Sequence, residues 1–370
     1  MKDYLAYKNF SWRFASTYLK ATNQNTCISP AGVYLLLSMV AAGAVGETRQ
    51  ELDALLSGDT LENAMDLAKN IEECYAIMNR TTISFPKDLT VKSEYALKLS
   101  TGFSNMNIQP SEANDWLSAQ NLINFKARWK TLFAETEKVF YMDVADGAVQ
   151  ERHIPFIWQN FQSLSYKETE EYISVSVPFA TECHMVLAMP KARELSDCVR
   201  DPSFLENALN LSPVPEHELQ PVHLSMPRFG LKNHLKDLKP TLQSMGVSQI
   251  FDRERSQITE MMDKRGYIET IVQDAEVAVD AKGAYALALT TAVMGVSGMG
   301  CQGERMKSIS FDRPFMFAIW QSEPTPVPLF IGAFQAPYHI TTIHRKEMFS
   351  MLYINRDANH KKLNLEVLII

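Results

Sequence analysis

The feature that most constrains this chain is a tract of alternating small and larger residues that begins after Gly283. Alanine or threonine occupies the even positions from 284 to 290, whereas the odd positions carry Tyr285, Leu287, Leu289 and Thr291. A period of two is typical of a strand with one tightly packed face. Alanine is nevertheless a weak strand former and a strong helix former, so nothing local holds the tract as a strand. The sequence therefore predicts a strand that requires an existing sheet in order to form.

Overall composition limits the classes of function. The chain has 370 residues, of which 46% are apolar, which is enough for a substantial core in one large domain or two smaller ones. It contains 36 basic and 43 acidic residues, and no run of Lys or Arg exceeds two, which argues against a nucleic-acid partner. No uninterrupted apolar span is long enough for a membrane helix, so we expect no membrane partner.

Cysteine usage and the N-terminal residues bear on the cellular compartment. The five cysteines are odd in number and lack Cys-x-x-Cys spacing, which argues against a disulfide framework or a zinc site and suits a reducing compartment. The first residues, MKDYLAYKNFSWRF, contain no apolar segment of signal-peptide length. We therefore expect no signal peptide and favour the cell interior. The cysteines are Cys27, Cys74, Cys183, Cys198 and Cys301.

Apolar spacing in the N-terminal part predicts helices around one short strand. A helix is predicted from Tyr4 to Lys20, a buried strand from Asn25 to Pro30, and a second helix from Pro30 to Ala42 with the proline in its first turn. Thr48, with Glu51 three residues later, fits a capping box at the start of the next helix.

The middle and the C-terminal part of the chain change to strands. Between Phe140 and Pro190, five alternating segments with short turns (VFYMDV, HIPFIWQ, FQSLSY, YISVSVPF and HMVLAMP) predict an antiparallel sheet. A helical stretch follows from Ala192 to Leu211, and a further helix from Leu235 to Met245 is ended by Gly246. Residues 308–334 predict a hairpin of two apolar strands. This order of elements predicts an α+β fold.

The sequence lacks the common motifs of catalysis and metal binding. It contains neither His-Glu-x-x-His nor Gly-x-Ser-x-Gly, and GAVGE lacks the Gly-Lys-Ser/Thr ending of a phosphate-binding loop. Cys301 has only Arg305 as a nearby basic residue, so we interpret it as an inert exposed thiol rather than a nucleophile. We therefore expect neither an enzyme nor a bound cofactor or metal ion.

Several fragments, kept in order along the chain, resemble the serpin family. Residues 25–30 are similar to its Asn-x-x-x-Ser-Pro motif, and residues 43–52 to its Gly-Ala-x-Gly-x-Thr-x-x-Glu-Leu motif. Residues 121–133 resemble its Asn-x-x-x-Phe-Lys-Gly-x-Trp-x-x-x-Phe motif, whereas 226–251 and 311–334 resemble its Pro-x-Phe segment and its Arg-Pro-Phe ending. Each fragment alone is weakly specific, but the ordered set is strongly specific. On this basis the chain is identified as a member of the serpin family.

The resemblance implies an α+β serpin fold with three β-sheets, about eight or nine helices and an exposed reactive-centre loop. It places a serpin domain at 1–338, the loop at about 282–309 and an extension of unknown role at 339–370. In this family a protease cleaves the loop and forms an acyl-enzyme, and the cleaved loop then inserts into the large sheet as a further strand. The resemblance thus implies a metastable, monomeric suicide-substrate inhibitor. Its partner would be a target protease of the serine class or, alternatively, of the cysteine class.

The resemblance also assigns residues to two parts of this mechanism. The loop hinge comprises Gly283, Ala284, Ala286, Ala288 and Thr290. The region where the sheet opens contains Ser29, Pro30, Asn121 and Gln273. Once the loop is inserted, the even-numbered hinge residues would face the core at little steric cost, whereas a buried unpaired charge there would be strongly unfavourable.

The position of the scissile bond stays open. Counting from Gly283 as in the family places the bond near Ser297–Gly298, but the loop is longer than usual, so Met299 and Arg305 are alternatives. Arg305 would imply a trypsin-like target, and Met299 or Val296 an elastase-like or chymotrypsin-like target. A loop that meets no defined protease is a further alternative.

Departures from the family pattern motivate an alternative function. Ala281 replaces a glutamate and Tyr285 a charged residue near the hinge, and Gly32 replaces a serine. Gln273 replaces a histidine. An amide can keep one of the hydrogen bonds that the histidine makes, but it cannot reproduce the geometry of an imidazole. The alternative is a non-inhibitory serpin-fold binding or scaffold protein. Because the family is mostly extracellular, an extracellular location is the alternative to the cell interior.

The chain is also shorter than the family between Phe103 and Phe125, where the family has a helix crossing the large sheet and then the central strand of that sheet. We expect the strand to remain, in the segment WLSAQN, and the helix to be lost. Loss of a central strand would leave backbone groups of two neighbouring strands unpaired.

Overall fold

Helices and strands follow one another in the order expected for an α+β protein. The computed structural model describes residues 4–22, 24–111, 117–143, 149–191, 193–211, 219–235, 237–264, 266–284 and 306–337. The helices of these residues are α1 (Leu5–Leu19), α2 (Pro30–Gly43), α3 (Gly46–Leu55), α4 (Leu61–Glu72), α5 (Ser93–Ser100), α6 (Leu195–Cys198), α7 (Pro202–Leu209) and α8 (Lys239–Ser244). A 3-10 turn covers Gln249–Phe251.

The strands form a seven-stranded sheet and a nine-stranded sheet. They are β1 (Thr26–Ile28), β2 (Ile77–Pro86), β3 (Met106–Ser111), β4 (Leu117–Phe125), β5 (Ala127–Arg128), β6 (Ala134–Asp143), β7 (Val149–Glu168), β8 (Tyr172–Pro178), β9 (Cys183–Pro190), β10 (Gln220–Pro227), β11 (Phe229–Leu235), β12 (Ile268–Val279), β13 (Gly283–Ala284), β14 (Lys307–Ser310), β15 (Phe315–Gln321) and β16 (Val327–Phe334).

Helix α2 occupies the core because its sequence is apolar on every side. Of its residues only Ala42 is more than slightly exposed, as expected for a helix without a polar face. Ser29 caps the helix by accepting a hydrogen bond from the Gly32 N–H at 3.4 Å, and Pro30 lies in the first turn. The predicted helices at 4–20 and 30–42 and the strand between them are confirmed within one or two residues.

The predicted capping box at Thr48 and Glu51 is wrong. Helix α3 begins earlier, at Gly46, whose φ of +56° suits glycine. The Thr48 hydroxyl instead accepts a hydrogen bond from Gln257 N, and the Glu51 carboxylate accepts bonds from the backbone of the 3-10 turn at 2.7–2.8 Å. These two side chains bind the distant segment 248–257 rather than the end of their own helix.

Two further predictions are corrected by strand pairing. The segments HIPFIWQ and FQSLSY belong to one strand, β7, which pairs with β6, β10 and β8 along its length. Leu235 ends β11, where it pairs with Gln273, so the helix predicted from 235 begins only at Lys239. The helical stretch at 192–211 is divided into α6 and α7, with Pro202 in the first turn of α7.

The nine-stranded sheet has two parts that share β7. One part runs in the order β1-β16-β15-β9-β8-β7, and the other joins β6, β7, β10 and β14. Together with the seven-stranded sheet, these parts correspond to the three sheets expected from the resemblance. The predicted C-terminal hairpin is confirmed as β15 and β16, both of which are buried throughout.

The seven-stranded sheet, called the large sheet below, has the order β3-β2-β4-β12-β13-β5, with β11 on the other edge of β12. Its central feature is the parallel pairing of β4 with β12, in which Asn121 lies opposite Gln273. We call this β4–β12 boundary the seam. The strand expected in WLSAQN is therefore present, and the described residues between Thr101 and Leu117 contain β3 and no helix.

The outer face of the large sheet, opposite the core, is mostly polar, although Met78 is also exposed there. Arg80 and Gln120 are exposed there, and Asp274 is partly exposed. Such a face is stable in water without a covering helix because antiparallel and mixed sheets tolerate solvent on one side when it is polar. No helix among the described residues is long and apolar enough to span a membrane. The extension at 339–370 lies outside the described residues.

Candidate sheet-opening site and loop hinge

The inner face of the seam carries a buried amide, Gln273, which binds the start of helix α2. Its Oε1 accepts a hydrogen bond from Ser29 N at 2.9 Å, and its Nε2 donates to Ser29 O at 2.8 Å. The same Nε2 lies 3.2 Å from Asn121 Oδ1 across the seam. Gln273 and Asn121 have no exposed surface. The glutamine amide thus binds both backbone groups of Ser29 and one side chain.

Asn121 extends this network from the seam to β2. Its Nδ2 donates to Asn79 Oδ1 at 2.8 Å and lies 3.2 Å from Thr81 Oγ1. Its Oδ1 occupies the space beside Gly32, where an added Cβ would come within 1.8 Å of it. The glycine that replaces the family's serine therefore makes room for the Asn121 side chain.

Ser29 joins three elements at this point. Its hydroxyl donates to Leu329 O of β16 at 2.7 Å while it also caps α2 through Gly32 N. With the bonds from Gln273, the Ser29–Pro30 turn connects the large sheet, helix α2 and the nine-stranded sheet. The four residues assigned to the sheet-opening region thus lie together in the folded chain, three of them linked by direct hydrogen bonds.

A second polar contact crosses the seam on the outer face. Gln120 Nε2 donates to Asp274 Oδ2 at 2.8 Å, and Asp274 Oδ1 lies 2.5 Å from His234 Nδ1 on β11. The three side chains belong to three adjacent strands, β4, β12 and β11. Separation of β4 from β12 would therefore break side-chain hydrogen bonds on both faces, in addition to the backbone pairing.

The chain reverses direction at the end of β12 and begins a new strand. Asp280 forms the turn: its Oδ1 accepts from Lys282 N at 2.7 Å and from Gly283 N at 3.1 Å. Ala284 then pairs antiparallel with Val279 of β12 and with Ala127 of β5. The first two hinge residues, Gly283 and Ala284, thus form the short strand β13 between β12 and β5, at one end of the seam.

Two aromatic residues hold this turn, and the sequence alone predicts no such role for them. Trp129 donates from its indole Nε1 to Asp280 O at 2.8 Å and from its backbone N to Lys282 O at 3.0 Å. Phe133 N donates to Ala281 O at 2.9 Å. The Trp129 ring stacks on Phe179 with centroids 4.4 Å apart. The signal was available, since both residues lie in the 121–133 motif, but their link to residue 280 requires a contact between distant parts of the chain.

The other predicted residues of the loop lie outside the described residues. These are Ala286, Ala288, Thr290, Ser297, Gly298, Met299 and Arg305. The loop's C-terminal end is described from residue 306, and β14 pairs parallel with β10. There Glu168 binds both Lys307 and Lys191, each at 2.6 Å, and these hydrogen bonds lower the pKa of the Glu168 carboxyl. Both ends of the loop are therefore attached to sheets.

Within the described part of the chain, no group of three or more His, Cys, Asp or Glu side chains could hold a metal ion. Burial raises the pKa of the Cys198 thiol to about 11, and that of Cys27 further still, so neither is a nucleophile at neutral pH. The described part of the site is a closed seam with a short strand, β13, at one end.

Comparisons with solved structures define the class of the fold. The native thermophilic serpin tengpin superposes with a TM-score of 0.74 at 18% identity, covering 91% of this chain and 95% of tengpin. Human glycosylated kallistatin superposes with a TM-score of 0.73 at 16% identity, covering 90% and 97%. The fold is the serpin fold.

Sequence comparison then assigns the chain itself. The profile of the family described as "Serpin (serine protease inhibitor)" matches residues 5–113 and 107–337. This chain belongs to the serpin family. It is 23% identical to the probable serpin E3 of Danio rerio, covering 83% of this chain and 85% of that protein, and 22% identical to Mus musculus neuroserpin, covering 86% and 88%. An uncharacterized serpin-like protein of fowlpox virus is 24% identical, covering 86% and 97%.

Proposed function

We propose that this chain inhibits a target protease as a suicide substrate. The family is one of serine protease inhibitors, and the finer mechanism is supported by one observation. Strand β13 pairs with β12 on one side and with β5 on the other, both antiparallel. An inserted loop strand must make these pairings, so Gly283 and Ala284 have the position and direction of its first two residues.

The pairing of β13 fixes the register in which the rest of the loop would follow. Ala284 lies opposite Val279 and Ala127. Continued without a bulge, this register brings Ala286 opposite Val277 and Phe125, and each later even-numbered residue opposite the next inward-facing pair. The even-numbered residues would therefore face the core. Their small side chains suit the space between two close-packed strands.

The same register brings Thr290 between Gln273 and Asn121. Insertion would separate these two amides by an additional strand, which breaks their 3.2 Å contact. The threonine hydroxyl can donate one hydrogen bond and accept another, so it could join both amides again. Position 290 is thus the one inward-facing hinge position at which a polar side chain is required.

The chemistry of the reaction belongs to the protease. Its nucleophile attacks the carbonyl carbon of the scissile bond, the amine of the following residue leaves, and an ester or thioester to the loop remains. Insertion then carries the linked protease along the sheet before water can release it. We place the bond at Ser297–Gly298, with Met299 and Arg305 as alternatives.

Incubation with a panel of trypsin-like, elastase-like and chymotrypsin-like proteases tests the proposal. We expect a covalent complex that survives boiling in SDS with at least one of them, and sequencing of the released C-terminal peptide identifies the bond. The variants Arg305→Ala and Met299→Ala separate the alternatives, since only the one at the scissile bond would abolish complex formation. Simple loop cleavage by every protease, without a stable complex, would contradict the proposal.

The role of Thr290 is tested by a matched pair of variants. Thr290→Val removes the hydroxyl expected to lie between the two amides, so a larger fraction of the cleaved chains should release the protease before insertion is complete. Thr291→Val makes the same change at a position that the register directs to the outer face, and should leave the stoichiometry of inhibition unchanged. Equal behaviour of the two variants would contradict the register.

A second candidate, a non-inhibitory binding or scaffold protein, is favoured by the hydrogen bonds that cross the seam on both faces. If Gln273–Asn121 and Gln120–Asp274 keep β4 on β12, the loop cannot insert. The melting temperature after loop cleavage separates the two candidates. Insertion of a further strand should raise it by tens of degrees, as the stabilisation adds many kcal/mol, whereas a scaffold protein should show no rise.

A further inference from the structure

Two cysteines that are distant in sequence meet in the fold. The Sγ atoms of Cys74 and Cys183 are 3.1 Å apart, and both side chains are buried. A disulfide bond is about 2.05 Å long, so formation of the bond requires the two sulfur atoms to approach by about 1 Å. The scattered spacing of the cysteines argues against a disulfide framework. It carries no information on this contact, because Cys74 and Cys183 are brought together only by the fold.

Both cysteines are held in place by their backbones. Cys74 follows helix α4, with its N–H bound to Ile71 O at 3.1 Å. Cys183 opens β9, where it pairs with Gln321 of β15, and its carbonyl accepts from Phe179 N at 3.0 Å. The 3.1 Å contact is therefore fixed by two well-anchored segments rather than by a mobile loop.

The pair lies beside the hinge end of the seam. Cys74 stands three residues before β2, and Ala76 O accepts from Lys126 N, in the link between β4 and β5, at 2.7 Å. On the other side, Ala180 N donates to Arg128 O of β5 at 2.7 Å. A bond between the two sulfur atoms would join the β2 side of the large sheet covalently to the nine-stranded sheet.

The thiols are buried but lie directly beneath the surface. Tyr75, next to Cys74, is fully exposed, and Thr181 and Glu182, before Cys183, are exposed as well. The two thiols share a hydrogen bond in which either sulfur can donate; with Cys183 as the donor, this bond lowers the pKa of Cys74 and raises that of Cys183. Since the thiolate is the reactive form, Cys74 is the sulfur that would react first with a small oxidant.

We propose that Cys74 and Cys183 form a reversible disulfide under peroxide, and that this bond restrains the opening of the large sheet. The Cys74 thiolate attacks one oxygen of hydrogen peroxide, the O–O bond breaks, and hydroxide leaves to give a sulfenic acid. The Cys183 sulfur then attacks the Cys74 sulfur, loses its proton and expels a second hydroxide. The two hydroxides take up protons and become two waters, so two thiols are oxidised and one peroxide is reduced.

The effect on the sheet rests on the proposed inhibitory function. Entry of the loop requires β4, which is paired with β2, to move away from β12. A covalent link from Cys74, three residues before β2, to Cys183 of β9 would oppose that movement. The oxidised chain should therefore insert its loop more slowly, and more of it should be cleaved as an ordinary substrate.

The first experiment detects the bond and does not depend on inhibition. The Cys301→Ser chain, which lacks the loop thiol, is treated with hydrogen peroxide, blocked with an alkylating agent and digested without reductant. We expect a peptide pair joined through Cys74 and Cys183, reversible by dithiothreitol, and a melting temperature several degrees above that of the reduced chain. The matched control Cys27→Ser/Cys198→Ser in the same background should give the same pair. Failure to find the pair, or sulfinic acid in its place, would overturn the disulfide.

The second experiment tests the restraint with the protease that forms the stable complex. Oxidation should raise the number of inhibitor molecules cleaved per complex by at least twofold, and dithiothreitol should restore the original number. Cys183→Ser, which cannot form the bond, should not respond to peroxide. A disulfide that leaves this number unchanged would refute the restraint. If no protease is inhibited by either form, the proposed function fails, while the peptide pair still decides the disulfide.

Discussion

At the scale of single residues, Gln273 shows how a departure from the family pattern is accommodated. An amide has both a donor and an acceptor end, so this one side chain binds the N–H and the C=O of Ser29 and still contacts Asn121. Gly32 belongs to the same adjustment, because its missing side chain leaves space for that of Asn121. Substitutions that look like losses in the sequence thus form one buried hydrogen-bonded set.

Replacement of Gln273 by leucine should lower the free energy of unfolding by about 2–4 kcal/mol. The substitution leaves a buried N–H and a buried C=O of Ser29 unpaired, and each unsatisfied group costs about 1–3 kcal/mol. Urea unfolding with an unchanged m-value measures the loss. Gln120 makes a hydrogen bond across the same seam on the solvent side. Gln120→Leu should therefore lower the free energy of unfolding by less than about 0.5 kcal/mol, as surface substitutions usually do. Equal losses in the two variants would show that burial of the network is unimportant.

At the scale of elements, local sequence predicted the structures that depend on local periodicity. Helices α1 and α2 and the β15–β16 hairpin were predicted because apolar spacing, a proline in the first turn and short connections determine them. The continuous length of β7 and the end of β11 depend on pairing with distant strands, which overrides local propensity. For the same reason local sequence did not indicate which strands pair with β13, the contact between Trp129 and Asp280, or the Cys74–Cys183 pair.

The strand β13 requires glycine at its first position. A Cβ at Gly283 would lie 2.1 Å from Ala127 O and 2.7 Å from Arg128 Cα, both of which are backbone atoms that cannot move aside cheaply. Gly283→Ala should therefore break the pairing of β13 with β5 and raise the hydrogen-exchange rate of the β13 amides at least tenfold. Gly230→Ala on β11 is the matched control, because its nearest neighbour would be Ala278 Cβ at an ordinary 3.8 Å. Unchanged exchange in Gly283→Ala would mean that the pairing is not held by close contact.

The strand after the loop, β14, is held partly by charge. Glu168 binds Lys307 of β14 and Lys191, and its pKa is lowered by these bonds. Its carboxylate is stabilised in the folded chain, so this contribution is complete above pH 4.5 and is lost as the pH falls through the lowered folded pKa. Glu168→Gln should therefore raise exchange of the β14 amides at pH 7 by about two- to fivefold, the range of a partly exposed ion pair.

A comparable exposed contact on β6 provides the control for Glu168. Glu135 lies 4.0 Å from Arg228, and their side chains are 64% and 45% exposed. Glu135→Gln should leave exchange in β14 unchanged, and high salt should reduce the difference between wild type and Glu168→Gln. A salt-independent effect would point to packing rather than charge.

At the scale of the whole molecule, the described residues have a closed seam, with Gly283 and Ala284 of β13 paired at one end of it. The nine-stranded sheet and helix α2 form the fixed part, whose strands β15 and β16 are buried on both faces. The large sheet, in contrast, has buried polar residues at its centre, including Gln273 and Asn121. The stability of the fixed part should therefore be measurable separately from the opening of the large sheet. A buried histidine of β9 provides a means to measure that stability.

His184 should make the stability of the chain fall in mild acid. The ring is buried against Trp320, with Nδ1 2.8 Å from Ser322 Oγ, and desolvation lowers its pKa from 6.5 to about 4. Between these two values the unfolded chain binds a proton that the folded chain does not, so the free energy of unfolding decreases as the pH falls from 6.5 to 4, by up to about 3 kcal/mol. His184→Gln, which keeps a polar partner for Ser322, should remove this part of the pH dependence. His153→Gln, an exposed site on β7, should not. If unfolding of His184→Gln in urea followed the wild-type pH curve, the acid sensitivity would arise elsewhere.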